Sequence, residues 1–98
     1  MDTGDLIDAI RERRVVEIDY RGGARVIHPH AVYRSASGAL CLDALQISGE
    51  SRSGGLPGWR VFKLMQVTDL HVLDATFARE PDYEPGAEKY QNGLLASA

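Results

Sequence analysis

The sequence predicts a mainly β domain: a small five-stranded antiparallel barrel with an N-terminal helix and a short C-terminal extension. Three observations predict it. Apolar and polar residues alternate in short runs, the period of a strand with one buried face. Turn-forming stretches at Arg21-Gly22-Gly23, Arg34 to Gly38 and Ser48 to Gly58 separate these runs, so successive strands follow in hairpin order. Helical spacing of apolar residues is confined to the N-terminal stretch and a segment near the C-terminus. Short strands with frequent glycine turns fit a barrel or a sandwich, and a barrel is preferred because closure removes exposed strand edges.

The elements read in order. Thr3 or Asp5 caps a helix that begins near Leu6, with Leu6, Ile7, Ile10 and Arg14 on one face. Val16, Ile18 and Tyr20 alternate with Glu17 and Asp19 in a first strand. A second strand runs from Ala24 to Tyr33, and Pro29 within it marks an edge or a bulge, since proline lacks the ladder N–H. Ala39 to Ile47 forms a third strand, with Leu40, Leu42 and Ala44 on one face. Trp59 to Met65 forms a fourth, and Val67 to Leu73 a fifth, broken by Asp69. After Phe77 the chain turns acidic and proline-containing, and Ala87 to Leu95 reads as a terminal helix. These boundaries give a domain over 1–77 and an acidic tail over 78–98.

At 98 residues one domain is expected, and 44% hydrophobic with 26% charged residues is an ordinary globular balance. No run approaches the ~20 apolar residues of a membrane helix. The acidic opening Met1-Asp2-Thr3-Gly4-Asp5 is unlike a secretory signal, so a cytoplasmic, bacterial-type location without a membrane partner is expected. The single cysteine, Cys41, allows no internal disulfide and no multi-cysteine zinc site. Net charge is −3, which argues against coating nucleic acid by bulk charge. The charge is uneven, however: residues 11–60 hold eight Arg and no Lys between acidic ends, and arginine's planar fork suits phosphates and carboxylates. A mixed, soluble surface explains the blocks equally well.

Three stretches together resemble the WYL domain family. They are Ala9-Ile10-Arg11-Glu12-Arg13-Arg14-Val15-Val16-Glu17-Ile18-Asp19-Tyr20-Arg21-Gly22, then Arg25-Val26-Ile27-His28-Pro29-His30-Ala31-Val32, then Trp59-Arg60-Val61-Phe62-Lys63-Leu64 followed by Val67, Leu70 and Leu73. The likeness covers roughly residues 6 to 77. Segment 51–60, with the aromatic-proline stretch from Phe77 to Gly86, is similar to short, stand-alone WYL-like proteins. At the positions of the family's Trp-Tyr-Leu triplet stand Leu40, Cys41 and Leu42, and Gln66 stands where another base is frequent. The resemblance implies an Sm-like or SH3-like barrel with an N-terminal helix. It also implies a non-enzymatic module that senses nucleic acid or a nucleotide-like ligand and takes part in regulation, as of transcription.

Tyr20, Arg25, His28 and His30 gather around one hairpin, and alternation puts His28 and His30 on one face with Val26. Their functional reading is an anion site, with Arg25 as fork and the histidines as adjustable donors. The plainer reading is a hydrogen-bonded, partly buried His30 and a solvated Arg25. Two histidines at i,i+2 suggest chelation, but no third ligand is evident, and neither a metal nor a cofactor is expected. Ser51-Arg52-Ser53-Gly54-Gly55 is either a phosphate-binding backbone nest or an ordinary loop. Arg60 shares its strand face with Phe62 and Leu64, so it is either paired, for instance with Asp43, or functional. Lys63 falls on the opposite face, and Trp59 reads as packing. The candidate ligand-binding set is therefore Tyr20, Arg25, His28, His30, Arg52, Arg60 and Lys63. Cys41 between leucines reads as a buried, inert thiol, and no catalytic set is evident. The expected partner is a single-stranded nucleic acid or nucleotide-like anion. The alternative is a structural module that forms homo- or hetero-oligomers with protein partners.

Overall fold

A computed structural model describes residues 3–51 and 54–98. Helix α1 (Thr3–Glu12) buries Leu6, Ala9 and Ile10. It starts earlier than its capping residues suggested, and it ends before Arg14. Arg13 takes the left-handed conformation at φ +54°, and its N–H donates to Ile10 O at 3.1 Å. Arg14 thereby opens strand β1 (Arg14–Tyr20). Its side chain reaches across to Leu73 O at 2.9 Å and Asp74 at 3.3 Å.

The other strands are β2 (Gly23–Arg34), β3 (Leu40–Gly49), β4 (Gly58–Lys63), β5 (Val67–Thr76) and β6 (Leu94–Ser97). All pairings are antiparallel, in the order β4-β3-β2-β1-β5, with β6 added on β2. The β1–β2 turn is tighter than a Gly-Gly pair implies. Tyr20 pairs with Gly23, leaving Arg21 and Gly22 as a two-residue loop at φ +52° and +80°, the primed turn that matches strand twist. A single 3-10 turn, Leu64–Gln66, joins β4 to β5. Among the described residues no ladder joins those two strands directly, so the shape is a curled antiparallel sheet with its helix over one face.

Strand β2 serves two neighbours along one edge. Its first half pairs with β1 as far as Ile27, and its second half pairs with β6 from Ala31. Pro29 falls in the gap between those ladders, beside a bulge against β3, where a missing N–H costs no ladder bond. The bulge exchanges the faces of the strand. Ile27 joins a core with Val16, Ile18, Leu42, Phe62 and the helix residues. Beyond the bulge Val32 faces that core, while Ala31 and Tyr33 face a second cluster with Cys41, Tyr83 and Tyr90.

Residues 78–98 complete that second cluster with Tyr83 and Tyr90. They lie over the sheet, and Leu94–Ser97 become its sixth strand. Segment 87–95, expected as a helix, forms a 3-10 turn (Glu88–Tyr90) and the start of β6. Gly93, at φ +129°, turns the chain out of the helical region, and the vacant edge of β2 supplies the partners. Asp69 does not break β5. Its carboxylate accepts from Leu70 N–H at 2.9 Å and lies 3.0 Å from His71 Nε2, so the strand continues to Thr76.

Two outcomes follow from this packing. Leu42 is wholly buried, so Leu42→Ala should cost about 2–5 kcal/mol, read as a lower denaturant midpoint at unchanged slope. A cost below about 1 kcal/mol would remove it from the core. Cys41, buried under Tyr83 and Tyr90, should react slowly with a disulfide reagent in the native chain and rapidly in denaturant. Equal rates would contradict its burial.

Candidate functional site

Strand period and the β2 bulge divide the seven candidate residues between two faces. Tyr20 and Arg25 point inward. The Tyr20 hydroxyl donates to Gln66 Oε1 at 3.0 Å and accepts from Lys63 N–H at 3.2 Å, and its ring meets Phe62 edge-on at 4.9 Å. The Arg25 guanidinium lies 5.1 Å from the Tyr20 ring and 5.8 Å from that of Phe62. Arg25 is therefore not solvated: it is 6% exposed. Among the described residues its one hydrogen bond, Nη2 to Tyr20 O, is long at 3.5 Å.

Arg60 also lies on the inward side, where it organises the loop before β4. Nη1 donates to Trp59 O at 2.9 Å, and Nη2 donates to Ser51 Oγ at 3.1 Å and Gly55 O at 3.3 Å. The side chain folds back over Gly58, where a β-carbon would sit 2.6 Å from Nη1; only glycine leaves that path open. Asp43 is not its partner. That carboxylate faces the other way and binds Lys89 Nζ and the Tyr90 hydroxyl, each at 2.7 Å.

Between the two arginines stands Gln46, fully buried. Register places it opposite Ile27 on β2 and Gly58 on β4, next to the inward positions of Arg25 and Arg60. Its amide N–H groups donate to Ser48 O at 3.2 Å and Glu50 O at 2.7 Å. Arg25 Nε, Gln46 Oε1 and Arg60 Nε are all buried without a hydrogen-bond partner. Among the described residues no carboxylate pairs with either guanidinium. A buried cation left this way costs several kcal/mol, roughly, unless something else compensates it; cation–π contact offsets only about 0.5–2. Arg52 lies outside the described residues. Lys63 is exposed on the far side of β4, away from this cluster.

His28 and His30 face outward, against segment 78–98 and Phe77. His28 stacks on Phe77 with ring centroids 4.8 Å apart. His30 is wholly buried, with the rings of Trp59, Phe77 and Tyr83 at 4.9, 5.1 and 5.2 Å. Its Nε2 accepts the Glu80 N–H at 3.0 Å, so the proton sits on Nδ1, which donates to His28 O at 2.8 Å. Both ring nitrogens are thus in use within the chain, which leaves His30 neither a ligand donor nor a chelating atom. Burial pulls both imidazoles below their ordinary value, against the neighbouring Glu80 carboxylate. Among the described residues no group of three metal-ligating side chains exists.

A groove of about 320 Å³ runs between β4 and residues 82–90. Trp59, Tyr83 and Tyr90 wall it, and Asp43, Asp82, Glu84 and Lys89 supply its charges. Trp59 Nε1–H donates to Asp82 at 3.0 Å. Burial, together with the Asp43 carboxylate, pushes the Tyr33 and Tyr90 hydroxyls above their ordinary range. Gln46 and Asp43, polar residues within a mostly apolar strand, were visible signals that the candidate set omitted; nothing local in the sequence marks Tyr83 and Tyr90 as neighbours of Trp59.

Comparison with protein-family models, with curated proteins and with solved structures finds no match. No helix of the described residues is long and apolar enough to cross a membrane.

The histidine geometry sets a pH dependence. The folded imidazoles lie below 6.5, and the unfolded ones near it. Below that value the unfolded chain binds more protons, so stability is full above about pH 7 and falls as pH drops. Melting temperature should decline between about pH 7.5 and about pH 5. His30→Asn should melt lower at the upper pH and decline less across the window. An equal decline in both proteins would remove His30 from the effect.

Proposed function

We propose that this chain is a non-enzymatic binding module, WYL-like in kind, whose ligand is an anion held at the arginine-lined end of the sheet. The ligand class is a nucleotide, the end or backbone of a single-stranded nucleic acid, or a similar phosphate- or carboxylate-bearing molecule. One observation carries the reading: among the described residues Arg25 is buried without a carboxylate, and Arg25 Nε, Gln46 Oε1 and Arg60 Nε, all on inward positions of the sheet, are buried without a partner. A bound anion offers Arg25 and Arg60 the charge they lack, and a protonated oxygen or an N–H offers Gln46 Oε1 a donor. Ser51 and Gly55, both held by Arg60, border this end. The barrel belongs to the same proposal. A helix, five consecutive antiparallel strands and a 3-10 link between the terminal strands β4 and β5 agree with an Sm-like barrel. A cytoplasmic regulatory role follows from the resemblance.

A second reading, assembly through a strand edge, has one observation in its favour. Val61 is 54% and Met65 85% exposed, along and just beyond β4, which pairs on one side only. Sizing by light scattering tests it: a single monomeric mass across a wide concentration range removes it.

Arg25→Met separates binding from folding. Replacing a buried, unpaired cation with an apolar chain of similar length should leave the melting temperature unchanged or raise it. It should also weaken binding of inorganic phosphate, a nucleoside monophosphate or short single-stranded DNA and RNA by about tenfold or more. If an oligonucleotide binds, its affinity must fall with added salt. Unchanged affinity for every anion, or a lowered melting temperature with no binding to the parent chain, would overturn the reading.

A further inference from the structure

The aromatic groove on the opposite face of the sheet has a different chemistry, although Arg60 borders both it and the arginine-lined end. Its charged lining is predominantly acidic. Arg60 borders the groove, but its guanidinium turns away from it, toward the loop carbonyls and Ser51. That leaves Asp43, Asp82 and Glu84 against Lys89 alone. The Asp43 side chain is 8% exposed. Its Oδ2 takes both Lys89 Nζ and the Tyr90 hydroxyl at 2.7 Å, while Oδ1 is buried without a partner. The Tyr33 hydroxyl also lies within reach of this carboxylate, so its donors are Lys89, Tyr90 and Tyr33, of which Lys89 alone carries charge.

Lys89 sits there much as a bound ligand would. Its ammonium lies 5.2 Å from the Tyr33 ring and 5.7 Å from the Tyr90 ring, within cation–π reach of both. The Lys89 side chain is nonetheless 44% exposed. It can withdraw into water and regain hydration while its backbone stays in the 3-10 turn, so displacing it requires no unfolding. Trp59 and Tyr83 extend the aromatic wall beyond the ammonium, and a cavity of about 320 Å³ has room for a short alkyl chain.

We propose that this groove binds a small organic ammonium ion, and that Lys89 occupies its charge site in the free protein. The incoming ammonium takes the place of Lys89 Nζ on Asp43, its alkyl part lies along Trp59 and Tyr83, and Asp82 and Glu84 hold the rim negative.

The probe is n-butylammonium, read through the fluorescence of Trp59, the only tryptophan in the chain, with n-butanol and butyrate as neutral and anionic controls. Butylammonium should give a saturable change that neither control gives. Lys89→Met, which removes the resident competitor, should tighten binding by about tenfold. Asp43→Asn should abolish it, with retained slow labelling of Cys41 showing that the groove is still formed; if that protection is lost, Asp82→Asn at the rim should weaken binding instead. Butanol binding as well as butylammonium would make the groove a plain apolar slot and overturn the proposal. Unchanged or weaker binding in Lys89→Met would overturn it too, because Lys89 would then be a strut and not an occupant.

Discussion

Between Pro29 and Ala31 strand β2 gains a residue against β3, and from that point its side chains exchange faces. Before the bulge, inward residues feed the core beneath α1; after it, Ala31 and Tyr33 turn to the opposite side. His30 and Ala31, adjacent in sequence, are both fully buried, and His30 faces the aromatic side. Strand alternation forbids this in a regular strand. The second apolar surface exists because of the exchange. It would otherwise lie bare, and residues 78–98 fold back to cover it. The arginine-lined end is built on the inward face upstream of the bulge, and the aromatic groove against the outward face downstream.

The two sites handle buried charge in opposite ways. On the outward side Asp43 meets Lys89 and Tyr90, an internal pairing of acid with cation and donor. On the inward side Arg25 meets aromatic faces and one distant carbonyl. Buried charges are ordinarily paired because desolvation costs more than packing returns. A chain with a net charge of −3 has acids to spare, yet none pairs with Arg25 among the described residues. The asymmetry is what distinguishes the arginine-lined end from an ordinary buried ion pair.

Local signals were legible in the sequence. The alternation of Val16, Ile18 and Tyr20, a tight turn within Arg21-Gly22-Gly23, Pro29 as the mark of an edge or a bulge and the row of Leu40, Leu42 and Ala44 depend on neighbours within a few residues, and the structure contains the strand, the turn, the bulge and the row. The candidate site was legible only in pieces. Alternation puts His28 and His30 on one face with Val26 and therefore Arg25 on the other, so grouping Tyr20, Arg25, His28 and His30 by hairpin joined residues of opposite faces. Gln46 shares the parity of Leu42 and Ala44, and an amide in that row was a readable anomaly. What no local pattern carries is the fate of residues 87–98. Their partners lie some sixty residues upstream, roughly, and contacts of such separation leave no imprint on periodicity. Leu94 and Leu95 suited a helix as well as a strand, and the vacant edge of β2 decided.

That edge has a consequence beyond the site it borders. Ala31, Val32 and Tyr33 are apolar, buried and consecutive, and β1 has already left them by Ile27. Uncovered, they would present unpaired amides and carbonyls along a flat apolar stretch, the kind of template that recruits strands from other molecules. By laying β6 on this stretch, the chain supplies its own last neighbour. The segment that roofs the aromatic groove therefore also covers the stretch of β2 that β1 leaves unpaired.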